Sequence, residues 1–213
     1  MKILIIHEID WVKKVPFEPH HLAEIFSTKG HDVFVINCEE PNFRNFLSGF
    51  HVNIINNYHR LYKNSSITLI RPSSILIKGL NRLSHFLTCK KTIKNILIQN
   101  NIDIILLYGV ATNGIQSIQA AKELNIPVIF RSLDIAHKLV RIPILQQITK
   151  KYEKNVIKNA TKVLATTPKL TQYTENMGAE KEKTEYFPLG INSKEFNLLK
   201  RDNNLALSLG INP

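Results

Sequence analysis

Short apolar runs rich in β-branched residues alternate with longer stretches in which apolar side chains recur every three or four positions. Residues 2–6 read as a strand, 19–29 as a helix and 32–37 as a second strand, a β-α-β unit suited to parallel pairing. Pro19 suits a first helical turn, Leu22, Ile25 and Phe26 give the helix an apolar face, and Gly30 follows as a stop. The pattern weakens between 42 and 71, where strands are expected at 51–55 and 67–70. It then sharpens into strand 103–108, helix 112–124, strand 127–131, helix 144–159, strand 162–166 and helix 168–177. Thr167 ahead of Pro168 offers an N-cap oxygen for the last of these, and Gly178 closes it. The alternation predicts an α/β fold, a Rossmann-like doubly wound parallel sheet. Ligands of such sheets bind beyond the carboxyl ends of the strands, which directs attention to residues 7–17, 109–113, 131–143 and 166–167.

Composition narrows the classes. With 213 residues, 44% of them hydrophobic, the chain can bury one substantial core. Cys38 and Cys89 stand in no C-x-x-C pair and beside no His cluster, which argues against a disulfide framework and a zinc site and for a reducing, cytoplasmic setting. The first apolar run meets His7, Glu8 and Asp10 too soon for a signal peptide, and no stretch is long enough to span a bilayer. A net charge of +11 brings anionic partners into question. Nucleic acid is disfavoured, because no basic run is interleaved with aromatic residues as a stacking platform requires.

The tail carries the most specific pattern. Tyr186-Phe187-Pro188-Leu189-Gly190-Ile191-Asn192, followed by Phe196, resembles the Pro-Asn-Gly-Ile-Asp…Phe segment of glycosyltransferase family 4, which leads from that family's first domain into its second. Tyr152-Glu153 with Asn159-Ala160-Thr161-Lys162-Val163-Leu164, Asn125 to Ile129, and Lys29 to Val33 match further landmarks in the family's order. The resemblance implies residues 1–187 as an acceptor-side Rossmann-like domain of a GT-B enzyme and 188–213 as interdomain linker, with the donor-binding domain, and its pair of Glu seven residues apart, outside the chain. It implies sugar transfer, of retaining hexosyltransferase type, in glycan or glycolipid synthesis. The co-substrate would be a nucleotide sugar held by the other domain, the acceptor a sugar or lipid-linked glycan, and no metal or other cofactor would take part. Departures stand out. No glycine precedes Gly30, so the family's Gly-Gly turn near the donor diphosphate is missing. The family's His-Asp falls on Leu133-Asp134, with His137 one helical turn further on. A stand-alone Rossmann-like ligand-binding or regulatory module is the alternative, and a sugar-nucleotide epimerase a further one.

Glycosyl transfer builds charge on the leaving diphosphate around an oxocarbenium-like centre, so cations and amide dipoles in a dry cleft matter most. Substrate-binding candidates are Glu8 and Asp10 for acceptor hydroxyls, and Trp11 for stacking on a sugar face, against a reading in which Trp11 packs over the sheet end. Gly109 and Asn113 bracket a turn whose amides can receive an anion or a sugar oxygen. Arg131 can pair with phosphate, or form a surface pair with Asp134. Asp134 and His137 are auxiliary catalytic candidates for handling a hydroxyl proton. His20 and His21 read as half-exposed helix residues.

No acid lies between Glu40 and Asp103, whereas Arg44, Arg60, Lys63, Arg71, Lys78, Arg82, Lys90, Lys91 and Lys94 do. Leu76, Leu80, Leu83 and Leu87 recur on one helical face with Lys78, Arg82 and His85 opposite, and the stripe then moves to Phe86, Ile93 and Leu97, which reads as two helices or a kinked one. One reading docks Lys78, Arg82, Lys90 and Lys91 on an anionic membrane at the cytoplasmic face; the other buries the leucines in the core and leaves the lysines solvated.

Overall fold

Ile3 and Ile5 point to one side of the sheet and Leu4 and Ile6 to the other, and the central strands all repeat this division. The computed structural model describes residues 1–40, 49, 51–75, 77, 80–192, 196 and 201–211. Its elements are β1 (Lys2–Ile6), α1 (Glu18–Thr28), β2 (Asp32–Ile36), β3 (Asn53–Tyr58), β4 (Ile67–Arg71), α2 (Leu80–Gln99), β5 (Ile104–Leu107), α3 (Gly114–Glu123), β6 (Val128–Ser132), α4 (Pro143–Asn159), β7 (Lys162–Ala165), α5 (Pro168–Asn176), β8 (Thr184–Tyr186) and α6 (Asn203–Ser208). They form one sheet in the order β3-β4-β2-β1-β5-β6-β7-β8, parallel except for β3. The order reverses between β1 and β5, which makes the gap beyond their carboxyl ends the natural crevice.

Ile3, Ile5, Val33, Val35, Ile67, Leu69 and Leu106 pack under α1, through Ala23, Leu22 and Phe26. Leu4, Ile6, Ile36, Ile70, Ile105, Leu107, Val128 and Phe130 pack under α2, α3 and α4. Strands covered on both faces must be apolar throughout, which is why β1 and β5 read as unbroken aliphatic runs. Each such fully buried aliphatic side chain contributes roughly 1.5–3 kcal/mol. Thr167 Oγ1 accepts the Leu170 N–H at 3.1 Å, as an N-cap should. Gly178 and Gly30 take φ of +105° and +83° just beyond α5 and α1, a backbone state open to glycine.

Two expectations are corrected here. The leucine stripe does not face the core: Leu80, Leu83 and Leu87 are 48%, 58% and 72% exposed, and α2 is one helix and not two. A single helix has one inward line, and Ile93, Ile96 and Leu97 fix it; stepping back in fours brings Cys89 and His85 onto that line and turns the leucines out. The strand β8 was not expected, because Thr-Glu-Tyr has no apolar period. It is an edge strand, and Lys162 Nζ pairs with Glu185 Oε2 beside it at 2.6 Å.

Candidate functional site

At the head of the crevice, Glu8 follows β1 directly and reaches the start of α3. Its Oε1 accepts the N–H groups of Thr112 at 2.6 Å and Asn113 at 3.1 Å, and its Oε2 lies 3.7 Å from Arg82. The amides expected to receive a ligand anion are thus occupied by a carboxylate of the chain itself, which complements the helix dipole. The turn-amide assignment is corrected on this ground, while Glu8 itself lines the neighbouring cavity. Gly109 is needed by close approach: a Cβ there would collide with Asn113 Oδ1 and lie 2.8 Å from Glu8 Cγ. Asn113 is the N-cap of α3 yet caps nothing; it is fully buried, and neither its Oδ1 nor its Nδ2 has a partner.

The loop after β1 turns its other candidates inward. Trp11 is 0% exposed, its ring 4.2 Å from that of His20 and its backbone N–H bonded to Asn37 Oδ1 at 2.8 Å, so no sugar can stack on it. Asp10 is buried and accepts the N–H groups of Val12, Lys13 and Glu40, which pins the loop rather than binding hydroxyls. His20 is buried, not half-exposed, with Nε2 3.2 Å from Trp11 O; burial, first of all, lowers its pKa. His21, partly buried, meets the Tyr62 hydroxyl at 3.0 Å.

Arg131 is likewise accounted for inside the protein. Its Nε and Nη2 fork onto both oxygens of Glu18 at 2.7 Å each, and Nη1 donates to Phe187 O at 2.6 Å. The guanidinium stands 5.1 Å from the Phe187 ring centroid, and Glu18 also accepts the Tyr108 hydroxyl at 3.1 Å. A buried, bidentately paired Arg offers nothing to a phosphate, and it does not pair with Asp134, which is exposed. Instead it ties α1 and β6 to the segment leaving β8.

His137 is different. It is buried in the 3₁₀ turn Ala136–Leu139, with Nδ1 2.7 Å from Glu153 Oε2. Glu153, 0% exposed, also accepts the N–H groups of Ala136 and His137 at 3.0 and 3.1 Å, and the Tyr173 hydroxyl lies 3.3 Å from Nδ1. Burial and then the charge of Glu153 push the Tyr173 pKa well above its ordinary value. A carboxylate only accepts, so Nδ1 carries a proton. Sequence reasoning missed Glu153 as a functional partner. Its signal was present: an acid at helical spacing from Thr149, Val156 and Ile157, on the buried face of a lysine-rich helix.

Further polar groups collect at the same end of the sheet. His7, just past β1, stacks on Tyr108 at 5.3 Å, its Nδ1 has no partner, and burial foremost lowers its pKa to about 4. Ser132 Oγ at the end of β6 and Gln116 Oε1 in the first turn of α3 are also buried without partners. Next to this line lies a cavity of about 270 Å³ lined by Glu8, Glu39, Glu40, Cys38, Arg82 and His85. Cys38 Sγ is 3.6 Å from His85 Nε2, but burial raises the thiol pKa far above normal and lowers that of His85 to about 4. Both are therefore neutral near pH 7, a packing pair and not an activated thiolate. Among the described residues no three His, Cys, Asp or Glu side chains gather as metal ligands.

Of the basic candidates, Arg82 and Lys91 are exposed, Lys90 and Lys94 pair with Glu123 at 2.8 and 2.6 Å, and Lys78 lies outside the described residues. No helix among the described residues is long and apolar enough to cross a membrane.

No relative was found among curated protein sequences. Solved structures with the same fold include sucrose-phosphate synthase from Thermosynechococcus elongatus, with TM-score 0.67 at 18% identity, covering 99% of this chain and 53% of that one. The HepE protein of Anabaena in complex with UDP-glucose gives TM-score 0.60 at 14% identity, covering 99% and 50% respectively. A putative UDP-N-acetylglucosamine 2-epimerase from Listeria monocytogenes, at TM-score 0.50 and 10% identity, covers 86% of this chain and 44% of its own. The chain thus spans about half the length of the GT-B proteins it resembles. The profile described as Glycosyltransferase Family 4 matches residues 20–195, so the chain belongs to that family.

Proposed function

We propose that these residues form the acceptor-binding half of a nucleotide-sugar-dependent glycosyltransferase, of retaining hexosyltransferase type, acting in glycan or glycolipid synthesis. The observation that carries this reading is the row of buried, unpartnered polar groups, His7 Nδ1, the Asn113 amide and Ser132 Oγ, at the carboxyl ends of three neighbouring strands. Buried polar atoms are normally bonded, so such a row at a strand-order switch is a place for water or a polar ligand to bond. Neutral donors and acceptors suit sugar hydroxyls better than a diphosphate. Arg131 is neutralised by Glu18, and the first turn lacks glycine, so the donor nucleotide is assigned to residues outside these. In the transfer, the acceptor oxygen bonds to the anomeric carbon as the bond to the diphosphate breaks, and His137 Nε2 is the chain's own candidate for receiving a hydroxyl proton.

Residues 1–213, incubated with UDP-glucose and a glycan or lipid-linked acceptor extract, should give no transfer. Calorimetry should detect no micromolar binding of UDP. Turnover, or micromolar UDP affinity, by these residues alone would put the donor site inside them and overturn the reading.

A further inference from the structure

Helices α2 and α4 flank α3 on one face of the sheet, and because each follows a parallel strand both begin at its carboxyl edge. Phe86 of α2 and Tyr152 of α4 stack across the gap, centroids 5.8 Å apart. Both helices expose aliphatic side chains in their opening turns: Leu80, Leu83 and Leu87 on one, and Ile144, 75% exposed, with Leu145 and Ile148 on the other. Both then turn basic, with Lys91 exposed on α2 beside Lys90 and Lys94, which pair with Glu123 of α3, and with Lys150, Lys151, Lys154 and Lys158 exposed on α4. The one acid on the two helices, Glu153, is buried under His137.

A scattered exposed leucine needs no explanation, but two neighbouring helices with the same order of apolar turns and then lysines do. We infer that this paired face is a docking surface for an anionic lipid monolayer. The aliphatic first turns enter the boundary between headgroups and acyl chains, and Lys91 with the exposed lysines of α4 lies against lipid phosphates. The charge favours lipid over a second copy of the chain, since the same lysines would meet their like across a symmetric interface. Docking of this kind brings the carboxyl edge, and with it the crevice, beside the membrane. The inference stands on exposure and charge and does not depend on the transferase reading.

Co-sedimentation of the chain with vesicles of phosphatidylcholine, with and without phosphatidylglycerol, tests it. Retention should require phosphatidylglycerol and fall as NaCl rises from about 0.1 to about 1 M, where the Debye length shrinks from about 10 to about 3 Å. Lys91→Gln and Lys151→Gln should each lower the partition coefficient about fivefold at low salt. The Leu83→Gln, Leu87→Gln double variant, altered only at exposed positions and checked for folding by circular dichroism, should lower it at least about tenfold at any salt. Equal retention on both vesicle types, no retention on either, or leucine variants that bind like the parent would each overturn the inference. So would self-association by light scattering that the leucine substitutions abolish, since the face would then belong to a second copy.

Discussion

The loops after β1 and after β6 both carry polar residues at the ligand end of the sheet, yet they use them in opposite ways. In the first, Asp10 gives its oxygens to three backbone N–H groups, Trp11 is sealed from solvent, and His20 bonds back to Trp11 O. In the second, Glu153 holds His137 by one nitrogen, Nδ1. Rich chemistry in a loop is therefore not enough to mark a site. A group whose bonding capacity is filled from within the chain is architecture, and one held at a single atom is able to meet a ligand. Arg131 belongs with the first loop by this measure, and Asn113, bonded at neither end of its amide, with the second.

Four outcomes would sharpen or break that contrast. The largest concerns Glu18: Glu18→Ala leaves Arg131 buried and unpaired, and should lower stability by about 3–5 kcal/mol in urea denaturation. A loss under about 1 kcal/mol would mean the fork is not what holds the segment after β8. Next comes pH. His7 and His85 both sit at about 4 in the fold, below their unfolded value, so the fold favours their neutral forms. Their contribution is complete above the unfolded pKa and is lost as pH falls from about 6.5 towards 4, by at most about 1.4 kcal/mol per pH unit for each histidine. Thermal melts across that window should show the slope, and His85→Gln should flatten it; an unchanged slope would show that His85 titrates normally.

Glu153→Gln should weaken the fold less, by about 1–3 kcal/mol, and its sharper readout is spectroscopic. The imidazole ¹⁵N shifts of His137 should move from a single Nδ1–H tautomer towards a mixture, whereas a purely structural Glu153 would leave the tautomer unchanged. Smallest is Asn113→Ala. Because the amide has no partner to lose, stability should stay within about 1 kcal/mol, and a larger drop would reveal bonding that the described structure does not contain.

The readable part of the fold was the part set locally. Thr167, Pro168 and Gly178 bracket α5 through one cap bond and one positive φ, both properties of the residues themselves. The apolar runs of β1, β2 and β5 needed only their neighbours on either face to become the sheet. What misled was any feature with two consistent answers. The leucines of α2 form a clean stripe, and only the packing of Ile93, Ile96 and Leu97 against the sheet decides that the stripe faces out. The site fared similarly. Glu8, Arg131 and His137 stand out by type and place, but their partners lie 104, 113 and 16 residues away, at Thr112, Glu18 and Glu153. Those pairings separate architecture from site, and only Glu153, an acid on the buried face of α4, leaves a signal in the sequence.

The central claim is that the unpartnered groups at the crevice receive an acceptor sugar and not a nucleotide. Heteronuclear NMR of the chain, following the Asn113 side-chain amide and the His7 and His137 rings, addresses it directly with methyl hexosides and UDP as probes. At least one methyl hexoside should shift the Asn113 and His7 signals, with UDP leaving them in place. Shifts with UDP and none with any hexoside would contradict it.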